Sequence, residues 1–193
     1  SGVTSKSFVR GFDIDYALAP INLDDVRKIT GVKLQGVLFA SGSIRGGIDN
    51  LDGEALVNGI FLGRPFDSVE AAFSYSDKEF RFGSIRGDIF RAHFDGSGSL
   101  NFGVKPEEYS YVGTVKHLDL REIGPVLATD FTGSVHLKGT GFSPKDFFMA
   151  IDGNLDSVRI ETYYFDKVSG PVEFDLETIH FMPGFQGRYK DTY

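Results

Sequence analysis

Cysteine and tryptophan are absent from this chain, and it carries two methionines and four histidines. Without cysteine there are no disulfides, thiolate metal sites or cysteine nucleophiles, but the compartment stays open, because cysteine-free chains occur in oxidising and reducing surroundings alike. Positive charge is also short. Twenty Lys and Arg stand against 27 Asp and Glu, giving a net charge of −7. A phosphate-backbone binder needs clustered Lys and Arg, so nucleic acid is excluded as an expected partner. No apolar run approaches the ~20 residues a bilayer-spanning helix requires. No signal peptide is visible. Ser1-Gly2 reads as a cleavage scar, which leaves room for an anchor, a targeting segment or a neighbouring domain in a longer parent.

What the chain does have is 24 Gly and 19 Phe in 193 residues, with 7 Pro. That mix suits many short strands joined by glycine turns. Apolar side chains alternate with small or polar ones at Val69, Ala71, Phe73 and Tyr75. The same period of two recurs at Val32, Leu34 and Leu38, at Phe80 and Phe82, at Phe90, Ala92 and Phe94, and at Leu100 and Phe102. It resumes at Tyr109, Tyr111 and Val115, at Phe131, Val135 and Leu137, at Phe147, Met149 and Ile151, at Val172, Phe174 and Leu176, and at Ile179 and Phe181. Such alternation predicts sheet with one apolar face. Turns are expected at Ser76-Asp77-Lys78, Asp95-Gly96-Ser97-Gly98 and Asp152-Gly153-Asn154, so consecutive strands should be antiparallel neighbours. Two places break the pattern. Asp24 to Ile29 and Asp119 to Ile123 each put an Asp before apolar residues at helical spacing, which predicts two short helices.

Those breaks also mark a repeat. Leu34-Gln35-Gly36-Val37-Leu38 matches Phe131-Thr132-Gly133-Ser134-Val135 at an offset of 97 residues. Phe66-Asp67 with Val69 matches Phe165-Asp166 with Val168, and Phe80-Arg81-Phe82 matches Ile179-His180-Phe181, both at an offset of 99. The sequence GSIRG occurs at Gly42 to Gly46 and again at Gly83 to Gly87. The expected organisation is a scar and lead-in strand over 1–12, a first β repeat over 13–108 and an incomplete second repeat over 109–193. Repeats of this kind stack so that each relies on its neighbour for burial.

Chemistry is sparse. His93, His117, His136 and His180 stand singly, with no second His, Asp or Glu at metal-binding spacing, and each is expected on the polar side of its strand. Asp13 with Asp15, and Glu107 with Glu108, are acidic pairs, but alternation puts Asp13 and Asp15 on an outer, solvated face. Gly139-Thr140-Gly141 and Gly96-Ser97-Gly98 lack the Lys and following helix of a phosphate loop and read as turns or bulges. Arg86-Gly87-Asp88 is too short a match to an adhesion tripeptide to carry weight. No nucleophile elbow, zinc motif or dinucleotide fingerprint is present. The expectation is a protein that is not an enzyme, with no cofactor and no metal. Periodicity alone leaves two architectures open: a closed sandwich with an aromatic core, or one curved sheet whose lining stays accessible.

The segment LQGVLFASGSIRGGIDNLDGEALVNG and the later FDGSGSLNF resemble the repeat of the AsmA-like and TamB-like proteins of Gram-negative envelopes. In that family an apolar-x-Gly-x-apolar-x-x-x-Gly segment precedes further strands and a Gly-x-apolar strand; Leu34, Gly36, Leu38, Gly42, Gly96, Gly98 and Leu100 occupy those places. VKHLDLREIGPVL and FTGSVHLKGTGFSP resemble the start of the next repeat. The resemblance implies an all-β, curved, mostly antiparallel amphipathic sheet of two repeats of about 97 residues, a so-called β-taco, with an apolar groove for phospholipid or another acyl-chain ligand. It implies phospholipid transport between inner and outer membranes or outer-membrane protein assembly, with assembly proteins as further partners. The location implied is the periplasm, with membrane association only through inner-membrane anchoring parts of the parent. The residues expected to line the groove are Leu34, Leu38, Phe73, Tyr75, Phe80, Phe82, Phe90, Phe94, Leu100, Phe102, Val135, Leu137, Met149, Ile151, Phe174 and Phe181. The alternative is a structural or protein-binding β scaffold acting by strand addition.

Overall fold

The computed structural model describes residues 11–25, 36–47, 49–61, 64–89, 91–119, 121, 128–143, 145–175 and 178–190. Its strands are β1 (Phe12–Asn22), β2 (Gly36–Gly47), β3 (Asn50–Phe61), β4 (Arg64–Ser76), β5 (Glu79–Ile89), β6 (Ala92–Asn101) and β7 (Glu108–Leu118). There follow β8 (Thr129–Thr140), β9 (Phe148–Ile160), β10 (Tyr163–Ser169), β11 (Val172–Phe174), β12 (Ile179–Phe181) and β13 (Gln186–Lys190). All belong to one antiparallel sheet in which chain order and spatial order coincide from β1 to β10. A closed two-sheet sandwich is therefore not the architecture. The sheet is elongated and open. No helix among the described residues is long and apolar enough to cross a membrane.

The last strands are simpler than their number implies. β9 pairs with β10 along Asn154 to Ile160 and with β11 along Met149 to Ile151. β10 and β11 are thus one run interrupted at Gly170-Pro171, and β12 and β13, which pair with β11 and β10, are one run interrupted at Pro183-Gly184. At Gly170 (φ +104) a Cβ would stand 2.6 Å from the Gly184 carbonyl oxygen, so only glycine lets the two interruptions sit side by side.

Two of the three expected turns lie elsewhere. Ser76-Asp77-Lys78 does form a two-residue hairpin with Asp77 (φ 51) and Lys78 (φ 65) left-handed, as tight antiparallel connections demand. Asp95 to Gly98 lies inside β6, and Asp152 to Asn154 lies inside β9. Gly96 answers a packing need. The Tyr111 ring lies over the cross-strand pair Gly96 and Gly113, so that a Cβ at Gly96 would meet Tyr111 Cε2 at 2.9 Å. Likewise Gly139 gives way to the Tyr109 ring, whereas Gly141 (φ +70) is a true turn residue.

Among the described residues helix is confined to a turn at residues 23–25 and a 3-10 position at Arg121; the rest of both expected helices lies outside them. The first turn is capped by Asn22, whose Oδ1 accepts from the Asp24 N–H at 3.0 Å, and not by Asp24. At the second place Asp119 Oδ1 accepts from the Arg121 N–H at 3.0 Å, as expected of a cap.

Extra residues bend the strands along one line. Pairing shifts fall between Leu18 and Ile21 on β1, Asp67 and Glu70 on β4, Val115 and Leu118 on β7, and Asp166 and Ser169 on β10. Ser68, His117 and Lys167 take left-handed φ there, at 54°, 59° and 52°. A bulge kinks its strand and strengthens local twist, so a row of them creases the sheet. The matching segments Phe66 to Val69 and Phe165 to Val168 both sit on this crease with the same left-handed third residue. The sheet continues unbroken through Glu108 and Tyr109, where the two expected repeats meet.

Candidate functional site

Cross-strand register sorts the apolar residues onto one face. One row runs Ile44, Gly53, Phe73, Phe82, Gly98, Tyr111, Leu137, Ile151, Val172, Phe181. Beside it runs Leu51, Tyr75, Phe80, Leu100, Tyr109, Gly139, Met149, Phe174, Ile179. The opposite face carries the polar partners of the alternation. There Arg86 meets Asp95 at 2.9 Å, Arg81 meets Glu79 at 2.7 Å and His93 Nδ1 meets Asp88 Oδ1 at 2.9 Å. Exposed pairs of this kind are screened by water and add little to stability.

The inner face has two parts. From β5 to the segment after β12 a single cavity of about 210 Å³ is lined by Ile85, Ile89, Phe94, Tyr111, Val115, Phe131, Val135, Leu137, Ile151, Val158, Val168, Phe174, Phe181 and Phe185, among others. Across a flat sheet, six strand spacings would separate Ile85 from Phe181 by about 29 Å. One small space touching both requires the face to be concave. Among the described residues only two lining side chains carry a polar atom, Tyr111 and Thr129. The Tyr111 hydroxyl donates to the Thr114 carbonyl at 2.8 Å, and the Thr129 hydroxyl donates to the Leu118 carbonyl at 3.2 Å. Both are thus engaged by backbone, and what the cavity offers an occupant is apolar contact.

The second part is an aromatic band toward β4 and β5. Phe80 stands 4.7 Å from Tyr75, 6.1 Å from Phe73, 6.3 Å from Phe82 and 6.3 Å from Phe102, ring centre to ring centre. Phe142, beyond β8, closes one end by stacking on Tyr109 at 5.5 Å. These rings are half-buried by one another, with no opposing layer among the described residues.

Of the expected groove residues, Leu34 and Phe90 lie outside the described residues. The structure places the other fourteen on or against the inner face, yet divides them. Phe94, Val135, Leu137, Ile151, Phe174 and Phe181 line the cavity. Phe73, Tyr75, Phe80, Phe82 and Phe102 form the aromatic band, and Leu38, Leu100 and Met149 lie on the same face outside the cavity. Sequence reasoning missed Ile85, Ile89, Leu155, Val158, Val168 and Phe185. Bulges reset the period of two at these places: Val168 is three residues from Phe165 although both face inward.

Electrostatics follow burial. The Tyr109 and Tyr111 phenols are both pushed up to about 12 by burial beside the apolar lining. Asp119 is held at about 2, chiefly by the hydrogen bond from the Arg121 guanidinium, with the Arg121 and Thr129 N–H groups adding to it. The carboxylate thereby ties the start of β8 to the end of β7. Among the described residues no three His, Asp or Glu side chains converge as a metal site would need. Each histidine keeps a local role: His136 is exposed on the outer face, His117 meets Asp130 at 3.3 Å and His180 meets Thr178 at 3.0 Å.

The fold and site together define an open all-β meander with one concave apolar face. No family model, no curated protein and no solved structure matches the chain.

Proposed function

We propose that the concave face holds acyl chains, and that the chain is an internal piece of an AsmA-like or TamB-like envelope protein serving phospholipid transport in the periplasm. The observation that carries this reading is the cavity between β5 and β12, with its two hydroxyls engaged by backbone. Such a lining has nothing to offer a headgroup. Each methylene moved into it from water contributes about 0.8 kcal/mol, so about eight contribute roughly 6 kcal/mol. Neighbouring apolar positions give nearly equal free energies, which lets a chain slide without a deep trap. The headgroup stays at the open side, in water.

The test is photocrosslinking. A benzophenone amino acid replaces Phe181, which lines the cavity but is 54% exposed, or Val112, which is exposed on the outer face. With vesicles of phosphatidylethanolamine and phosphatidylglycerol, lipid adducts should form at Phe181 several-fold more than at Val112. Equal labelling at both positions, or none, sinks the proposal.

A further inference from the structure

The cavity is closed at one end and runs onto open apolar surface at the other. Its deepest side chains are Val115 and Thr129, each 1% exposed, with Leu118 and Val158 buried beside them. They stand where β7, β8 and β9 come together. Polar ties hold that end shut: Asp119 Oδ1 accepts from the Arg121 N–H at 3.0 Å and from the Thr129 N–H at 3.3 Å, and the Thr129 hydroxyl is engaged by the Leu118 carbonyl.

Toward β5 the lining reaches Ile85, which is half-buried and pairs with Ala71, two positions along β4 from Phe73. Pairing with β6 shifts between Phe82 and Ile85, so both turn inward although they are three positions apart. The lip of the cavity is therefore apolar, and beyond it the same face continues as the aromatic band of Phe73, Tyr75, Phe80 and Phe82. A chain leaving the cavity passes from a space walled all round to a surface that covers it from one side.

We infer that this arrangement measures chain length: the cavity takes the terminal carbons of one acyl chain, with the methyl end against Val115, Thr129 and Val158, and the carbons nearer the headgroup lie on the aromatic band. The inference rests on the acyl-chain reading above and specifies its ligand. An apolar cavity of about 150 Å³ holds benzene, which has six carbons. At the same density the cavity of about 210 Å³ holds about eight, and a second chain finds no room beside the first. Every methylene that enters the cavity leaves water completely and tightens binding about fourfold. On the band a methylene keeps one side in water, which halves the area removed and reduces the gain to about twofold. Affinity should therefore climb steeply with chain length, then bend.

Isothermal titration calorimetry with sodium alkanoates from hexanoate to tetradecanoate, each below its micelle concentration, tests this, with circular dichroism as the check on folding. Kd should fall about fourfold per added methylene up to about octanoate and about twofold per methylene thereafter. Val158→Ala removes both methyls from the closed end, so the bend should move out to about decanoate. Val158→Leu adds a carbon there and should move it the other way. A uniform increment across the whole series overturns the length measurement while leaving acyl-chain binding standing. A bend that stays in place in both folded Val158 variants overturns it too, because the closed end would then not be what stops the chain. If no alkanoate binds at all, the acyl-chain reading falls and this inference falls with it.

Discussion

Strands β1 to β6 and strands β7 to β13 obey the same alternation of apolar and polar residues, yet their interiors differ. The core begins at Ala92 at the start of β6 and runs through Val115, Leu118, Phe131, Met149, Val158, Val168 and Phe174. In the first five strands the described apolar side chains facing inward are mostly half-buried, Val69 being an exception. The difference lies in what stands opposite. The broken runs β10 to β13 bend at Gly170-Pro171 and Pro183-Gly184, and so bring Val168, Phe174 and Phe185 over the same space as Phe131 and Val135. Around β4 and β5 nothing comparable among the described residues faces the sheet, and Phe73, Tyr75, Phe80 and Phe82 cover one another instead. Alternation decides which face is apolar; bending decides how much of it leaves water.

The largest contrast should come from truncating one phenylalanine in each part. Phe131, 7% exposed and walling the cavity, should cost about 3 to 5 kcal/mol when replaced by alanine, and half-buried Phe82 about half as much. Urea denaturation of both variants measures this, and equal losses would erase the distinction between the two parts.

A smaller effect separates two glycines. A Cβ at Gly139 would stand 2.3 Å from the Tyr109 ring, whereas at Gly83 the nearest atom is 4.0 Å away. Gly139→Ala should therefore destabilise by about 1 to 3 kcal/mol. Gly83→Ala should be neutral or stabilise by up to ~1 kcal/mol, because it restricts the unfolded chain. If both substitutions behave alike, the paving of glycines by aromatic rings is not what holds those positions.

Alkaline pH should act least, and on the second part. Tyr109 and Tyr111 have folded-state values raised from 10.0 to about 12. Their contribution is intact below pH 10 and is lost as pH rises from 10 to 12, because the unfolded state accepts the phenolate more readily. The denaturation midpoint should fall across that interval in the parent chain and fall less in a double Tyr109→Phe, Tyr111→Phe variant. A midpoint that is flat with pH in the parent would remove the argument from burial.

Much of this was legible before any coordinates. The apolar rows through Phe73, Phe82, Leu137 and Ile151 were readable as alternation, and the Ser76 to Glu79 hairpin as turn chemistry. Asp95 to Gly98 and Asp152 to Asn154 lie within strands although glycine beside aspartate signals a turn locally; at Gly96 the cause, the Tyr111 ring over Gly96 and Gly113, comes from a neighbouring strand, and at Gly153 it is the close approach of the Ser134 backbone. Val168, legible in the repeat but not as a groove residue, and Phe185 fall outside the alternation for a similar reason: a bulge at Lys167 and the break at Pro183-Gly184 shift the period, and neither shift shows in composition.

By itself the amino-acid order determined that strands form, that neighbours run antiparallel and that one face is apolar, since these follow from the two-residue period and from hairpin turns, which are local. Whether that face closes, stays flat or curls was decided in three dimensions. Twist and bulges accumulate over many strands, and only their sum determines which side chains meet across the concavity.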